Sequence, residues 1–323
     1  MSASAETATE IRIGQFPNVT HAQALMARAS GDYEKALGIP VRWVQFNAGP
    51  SAVEALFTDA IDATYIGPNP AINGFIKSEG RSFQIVAGSA GGGAALVVRP
   101  DAAIATDRDF AGRIIATPQL GNTQDVAARA WFKERGYVLK ERGGNLTILP
   151  LSNPDQLLMF KKKEIDGAWT IEPWVSRLEQ EGGGKVFLEE KTLWPEGKYI
   201  TTLLVVSRKF MTDHPEQAAK LVRAHVEMTR KLNAGKAAAV PVINAEIRKE
   251  TGSELPSAVI ESAMNRVEFT WDPAESALVK SARDAYEAGF LKTQPNLDGL
   301  CNLALLNGVL KEMGLPEIPR FAK

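Results

Sequence analysis

The sequence predicts an α/β protein of two lobes joined by two crossover strands, with a helical C-terminal region packed on the first lobe. Three observations carry that expectation. Strand-like and helix-like segments alternate through residues 11–98, which implies mostly parallel sheets with helices on their faces. The same order recurs through residues 113–206. Beyond Ser207, His214-Pro215, Pro256 and Pro273 each precede a helical stretch, and no further strand is expected. A chain of 323 residues suffices for about two domains, each burying its own core.

In the first set, Ile11 to Gly14 is a short strand. A helix follows from about Thr20 to Leu37, because Leu25, Ala29, Tyr33 and Leu37 fall on one helical face. Thr20 with Gln23 has capping-box spacing, and Gly38 stands where a C-terminal cap belongs. Val41 to Phe46 is the next strand, and Ser51 with Glu54 opens a helix by the same box. Ala63 to Ile66 is a third strand; Asn69-Pro70 reads as an N-cap followed by proline in the first helical position. Gln84 to Gly88 and Ala94 to Val98 close the set.

In the second set, the strand Arg113 to Thr117 leads to a helix opened by Asn122 and ended at Gly136. Leu146 to Leu151 precedes a helix starting at Asn153-Pro154. Gly167 to Thr170 precedes one that begins at Pro173 and stops at Gly182-Gly183-Gly184. Lys185 to Leu188 and Thr201 to Val206 are the last strands. Ile61-Asp62-Ala63-Thr64-Tyr65 matches Ile165-Asp166-Gly167-Ala168-Trp169, by shared lobe architecture or by duplication. With Leu96 to Val98 crossing out of the first lobe and Leu203 to Val206 crossing back, the lobes span residues 10–98, 99–202 and 203–323, the last returning to lobe one. Two crossovers form a hinge, and a hinge between lobes makes a closing cleft.

Composition removes several functions. Hydrophobic residues at 45% and charged ones at 23% are ordinary for a globular chain, and a net charge of −1 leaves no footprint for nucleic acid. Lys161 to Lys163 reads as a solvated helix face. No stretch approaches the ~18 to 20 apolar residues of a membrane span. Met1 to Glu10 is small, polar and acidic and lacks the apolar core of a signal peptide. It reads as the start of a mature secreted chain given a new Met, or as a cytosolic N-terminus. The single cysteine, Cys301, excludes an intrachain disulfide and leaves the compartment open.

Ligands of open α/β sheets sit beyond the carboxyl ends of the strands. The loops there are 15–21, 67–70 and 88–93 in the first lobe, and 118–124 and 171–174 in the second. Thr20, Asn69 and Asn122 stand at helix starts, where free N–H groups and the dipole favour an anion. Asn18, Ser89, Gln119, Thr123 and Gln124 add neutral donors, and Gly91 and Gly121 allow close backbone approach. His21 is a first-turn donor or a solvent-exposed side chain. Trp169 and Trp174 either line an apolar part of the ligand or belong to the core. Glu172 accepts a ligand amine, repels unwanted anions, or stabilises the helix opened by Pro173. No Lys or Arg falls in these loops, so neutral donors and dipoles meet the charge.

Enzyme signatures do not occur. Ala87-Gly88-Ser89-Ala90-Gly91 lacks the first glycine of a nucleophile elbow, and no phosphate-binding loop is present. His21, His214 and His225 are too scattered for a local metal motif. No catalytic residue, metal or cofactor is expected, and Cys301, among Leu300, Leu303 and Leu306, reads as core.

Five segments carry a family resemblance: Tyr65 to Phe75 (YIGPNPAINGF), Ala116 to Ala127 (ATPQLGNTQDVA), Gly167 to Trp174 (GAWTIEPW), Phe269 to Ser276 (FTWDPAES) and Leu305 to Pro316 (LLNGVLKEMGLP). Through them the chain resembles the substrate-binding proteins of nitrate/sulfonate/taurine-type ABC importers, from Ile11 to about Pro319. The resemblance implies a type II periplasmic-binding fold, a monomeric periplasmic protein, a small-molecule ligand and ABC transporter membrane subunits as partners. It places the ligand, an organic sulfonate or similar small anion, against Asn69, Ser89, the Gly121 to Gln124 loop and the Glu172 to Trp174 turn. The same fold also serves desulfinase-like and thiamine-precursor-synthase-like enzymes, which is the alternative reading.

Overall fold

The computed structural model describes residues 8–320, so most of the Met1 to Glu10 segment lies outside the described residues. In chain order the first part comprises β1 (Ile11–Gln15), α1 (Ala22–Ser30), α2 (Asp32–Leu37), β2 (Val41–Gln45), α3 (Gly49–Phe57), β3 (Ala63–Ile66), α4 (Pro68–Lys77) and β4 (Phe83–Gly92). The middle part comprises β5 (Ala94–Val98), β6 (Ile114–Thr117), α5 (Thr123–Glu134), β7 (Thr147–Pro150), α6 (Asn153–Lys161), β8 (Gly167–Ile171), α7 (Trp174–Gln180) and β9 (Lys185–Glu189). The last comprises β10 (Ile200–Ser207), α8 (Arg208–Asp213), α9 (Pro215–Ala234), α10 (Lys236–Thr251), α11 (Ser257–Arg266), β11 (Val267–Phe269), α12 (Glu275–Glu287) and α13 (Leu303–Glu312).

These strands form two sheets. The first has the order β11-β4-β10-β3-β1-β2, the second β7-β6-β8-β5-β9. In each, three strands run parallel (β2, β1, β3 and β7, β6, β8), and a strand leaving the hinge, β10 or β5, runs antiparallel beside them. The mixture has a simple cause: strands that end at the cleft point towards it, and a strand arriving from the other lobe points away. Helices cover both faces of the first sheet. Leu25, Leu221, Ile243 and Leu306 fill one side, and Val53, Ile72 and Leu278 the other. In the second sheet, Leu157 and Val175 pack on one face and Phe110, Trp131 and Phe132 on the other.

The matched segments occupy equivalent places, as β3 and β8 with the residues before them. Asp62 accepts from the backbone N–H of Arg12 at 2.8 Å, and Asp166 accepts from that of Ile114 at 2.9 Å. In both lobes a carboxylate just ahead of one strand thus fixes the start of its parallel neighbour.

Several expectations are corrected, among them the Ser51–Glu54 capping box: α3 begins earlier, at Gly49, with Ala48 as N-cap and no side-chain cap. The crossovers do not lie within Leu96–Val98 and Leu203–Val206: β5 pairs entirely in the second sheet and β10 entirely in the first. The chain passes between sheets at Gly92-Gly93 and again between the end of β9 at Glu189 and the start of β10 at Ile200. Gly92 and Gly93 take φ of 69° and 70°, the left-handed region that glycine tolerates at this reversal. The helix expected from Thr20 to Leu37 is broken at Gly31, where φ is 65°. Its capping box is absent, because Gln23 instead donates to the Ser89 carbonyl and the Thr229 hydroxyl. Lastly, β11 is a strand where none was expected; it pairs with the hinge end of β4.

Candidate ligand-binding cleft

The carboxyl ends of both sheets face a common cavity of about 20 Å³. From the first lobe, β1 delivers Phe16, Asn18 and His21, β2 delivers Asn47 to Gly49, and β3 delivers Gly67 and Pro70. From the second, β6 delivers Pro118 and Asn122 to Gln124, β7 delivers Asn153, and β8 delivers Ile171. Thr201 and Thr202 of β10 complete the wall. A cavity of this size holds about one water-sized group, so the lobes stand closed on one another.

Each parallel strand feeds a helix, so four helix starts (α3, α4, α5 and α6) meet at the wall. The N–H groups of their first turns lack intrahelical partners and carry the positive end of the dipole, with none supplied by Pro50 of α3, Pro68 and Pro70 of α4 or Pro154 of α6. The Asn122 carboxamide oxygen caps α5 by accepting from the Asp125 N–H at 2.9 Å, and its amide donates to Gln124. Asp125 fixes this loop from behind: it accepts from the Gly121 N–H at 2.9 Å, from the Thr117 hydroxyl at 2.8 Å and from Arg129 at 3.1 Å. His21 accepts from the Phe16 N–H through Nδ1 at 3.3 Å, which leaves the proton on Nε2. Burial lowers its pKa to about 3, so it is a neutral imidazole. The buried hydroxyls of Thr123 and Thr202 have no hydrogen-bond partner among the described residues. No Lys, Arg, Asp or Glu lines the cavity among those residues. The arrangement suits a small group rich in acceptor oxygens, held by dipoles and neutral donors.

The NMT1-like family matches residues 4–245. The chain belongs to that family. A taurine-binding periplasmic protein of Escherichia coli (strain K12) is 26% identical over 204 residues, 63% of this chain and 61% of that protein. A relative from Bacillus subtilis (strain 168), named for binding aliphatic sulfonates, is 27% identical over 220 residues, 66% of this chain and 62% of its own length. The match therefore spans less than two thirds of either curated relative. Among solved structures, the alkanesulfonate-binding protein of Xanthomonas axonopodis pv. citri superposes with a TM-score of 0.75 at 20% identity, covering 92% of this chain and 99% of that one. The periplasmic nitrate-binding protein of Synechocystis PCC 6803 gives 0.81 at 15% identity, covering 98% and 92%. Likeness at such identity establishes the fold, that of the periplasmic binding proteins.

In this NMT1-like chain the residues singled out from sequence divide into three groups. Asn18, His21, Asn122, Thr123 and Gln124 line the cavity. Gln119 and Gly121 lie at the rim: Gln119 donates to Ser51 across the cleft at 3.0 Å, and Gly121 packs by Phe290. Trp174 borders an adjoining space and donates to Asn18 at 3.1 Å, joining the lobes. The remaining six do not reach the cavity. Thr20 lies in a short 3-10 turn with its hydroxyl buried, and Asn69, the second residue of α4 rather than its N-cap, which is Gly67, donates to the Ser281 carbonyl. Ser89 lies within β4 rather than in a loop and donates to Gln23 at 2.9 Å; Gly91, further along β4, borders the hinge under the Tyr199 carbonyl. Trp169 is core and donates to Glu190 at 2.7 Å. Glu172 pairs with Arg266 across the lobes at 3.1 Å and accepts from Ser176, so neither a ligand amine nor helix stabilisation alone describes it.

Sequence reasoning missed Asn47, Ala48, Gly49, Asn153, Thr201 and Thr202 as wall residues. The strand-end rule applied to β2 and β7 finds Asn47 and Asn153. Thr201 and Thr202 sit inside a strand and carry no local signal.

Among the described residues no cluster of His, Cys, Asp or Glu is arranged to hold a metal, and no helix is long and apolar enough to cross a membrane. Burial pushes the Cys301 thiol well above its ordinary range, away from the reactive thiolate.

Proposed function

We propose that this chain is a periplasmic solute-binding protein that captures a small organic anion, a sulfonate foremost, between its lobes and passes it to the membrane subunits of an ABC importer. The lobes would be residues 10–92 with 200–323, and 94–199. One observation carries the proposal: four helix starts converge on a cavity without side-chain charge. The taurine- and sulfonate-binding relatives support the same ligand class. Capture would follow from lobe closure, with the anionic head meeting N–H and O–H donors as water leaves. The protein acts as a monomer and turns nothing over.

Calorimetric titration with sulfonates, nitrate and neutral heterocycles tests this. At least one sulfonate is expected to bind, and Thr123→Val is expected to weaken it by about tenfold, the loss of one hydrogen bond to a charged group. Binding confined to neutral heterocycles, or conversion of any bound compound, overturns the reading.

A further inference from the structure

The cleft does not end at the small cavity. Asn18, Asn47 and Asn153 also line a second space of about 440 Å³, so the three asparagines form a collar between an inner and an outer chamber. Both lobes build the outer one: Pro17, Phe46 and Glu250 come from the first, Pro154 and Trp174 from the second. We propose that the ligand is an organic monoanion with a tail of at least ring size, and that Trp174, Phe46 and Glu250 select that tail in the outer chamber. The inference rests on the ligand reading given above.

The size contrast is the first argument. The inner chamber has room for little more than one oxygen of an anionic head, so the rest of any ligand lies beyond the collar. A bare inorganic oxyanion leaves the outer chamber unfilled, whereas an apolar tail removes area from water against the partly exposed Phe46, Pro17 and Pro154, with Trp174 packed behind them. Fixed geometry is the second. The Trp174 indole is 4% exposed, its Nε1 is tied to Asn18, and the Arg177 guanidinium lies 4.7 Å from its ring centroid. Such a platform loses little entropy on binding. Charge is the third. Among the described residues Glu250 is the single charged residue lining the chamber, and it cannot swing aside. Its side chain is 6% exposed and is held by Gln15 and by Arg28, which also binds Glu246. A second anionic group on the tail meets this carboxylate with no free cation beside it. Because the tail touches both lobes, it also favours their closure.

The test is calorimetry with methanesulfonate, butanesulfonate, benzenesulfonate, 1,4-butanedisulfonate and nitrate. Affinity should rise by about three- to fourfold per buried methylene, with benzenesulfonate at least about tenfold tighter than methanesulfonate. Phe46→Ala, at a half-buried position, should erase most of that gain and leave methanesulfonate within about twofold. Trp174→Ala, which also frees Asn18 of the inner wall, should lower affinity across the whole series, the longer tails most. The disulfonate should bind about tenfold or more below butanesulfonate, and Glu250→Gln should narrow the gap. A flat series with methanesulfonate still bound overturns the outer chamber and leaves the anion reading intact. If no sulfonate of any length binds, both fall.

Discussion

At the scale of single residues, two glycines separate folding from closure. A Cβ on Gly14 would stand 2.5 Å from the Thr64 hydroxyl, a contact within the first lobe. A Cβ on Gly67 would stand 2.2 Å from the Thr123 hydroxyl, which belongs to the other lobe. Gly67 has φ of −74°, a value alanine adopts without strain. Gly67→Ala should therefore leave unfolding within about 1 kcal/mol of the parent while lowering ligand affinity by about tenfold or more, because the methyl group props the cleft open. Gly14→Ala should do the reverse, with a stability loss of about 1–3 kcal/mol from overpacking. Adding Thr123→Ala to Gly67→Ala should restore closure, since the next contact is a milder 3.3 Å. Small-angle scattering with and without ligand reads closure; a Gly67→Ala protein that compacts like the parent refutes the contact's role.

Among the elements, α5 carries two separable duties at one residue. Asn122 caps the helix through its carboxamide oxygen and lines the cavity as a neutral group. Asn122→Ala should lose about 1 kcal/mol of stability, as caps do, along with affinity. Asn122→Asp keeps a capping oxygen and sets a carboxylate into a cavity without cations. Its melting temperature should stay near that of the parent while anion affinity falls by about a hundredfold; retained affinity would refute an anionic ligand. This start was legible because Asn122 and Asn153 each follow a strand and precede a helical run, and that signal is local. Sheet membership is not local. Ala94 to Val98 is buried on both faces and would satisfy either sheet, so nothing in its side chains said that it had already crossed. The same limit explains Trp169, which matches Tyr65 in sequence and in depth: both are wholly buried core residues at equivalent strands, not wall residues. Val267–Phe269 escaped notice because three residues are too few to show an alternation.

For the whole molecule, buried titratable groups set the response to pH, and they pull in opposite directions. His21 and His225 are buried and neutral, with pKa values lowered to about 3 and about 4. An unfolded chain protonates histidine near ~6.5, so below that pH the unfolded state binds more protons and stability falls as pH falls. Glu172 and Glu190 are raised by burial to about 7. Their contribution is fully present below the ordinary glutamate value of ~4.3 and is lost as pH rises through about 7. Between pH ~4.5 and ~6.5 two groups of each kind oppose one another, and the melting temperature should be nearly flat. Below that window the glutamates are protonated in both states, only the histidines continue, and stability should drop steeply. Above it the glutamates act alone, and a shallower decline should run to about pH 7. Glu172 faces Arg266, Ser176 and, around that guanidinium, Glu179 and Glu189, so its ionisation also bears on how the lobes are tied. Glu172→Gln should remove about half of the neutral-side decline and leave the acid limb in place. His225→Gln should soften the acid limb, although His225 also joins Tyr65 at 2.9 Å and the Gly88 carbonyl at 2.7 Å, so its baseline stability should be lower throughout. Thermal unfolding from pH 3.5 to 8.5 reads both limbs, and a neutral-side decline untouched by Glu172→Gln would assign it to Glu190 and the core around Trp169 instead.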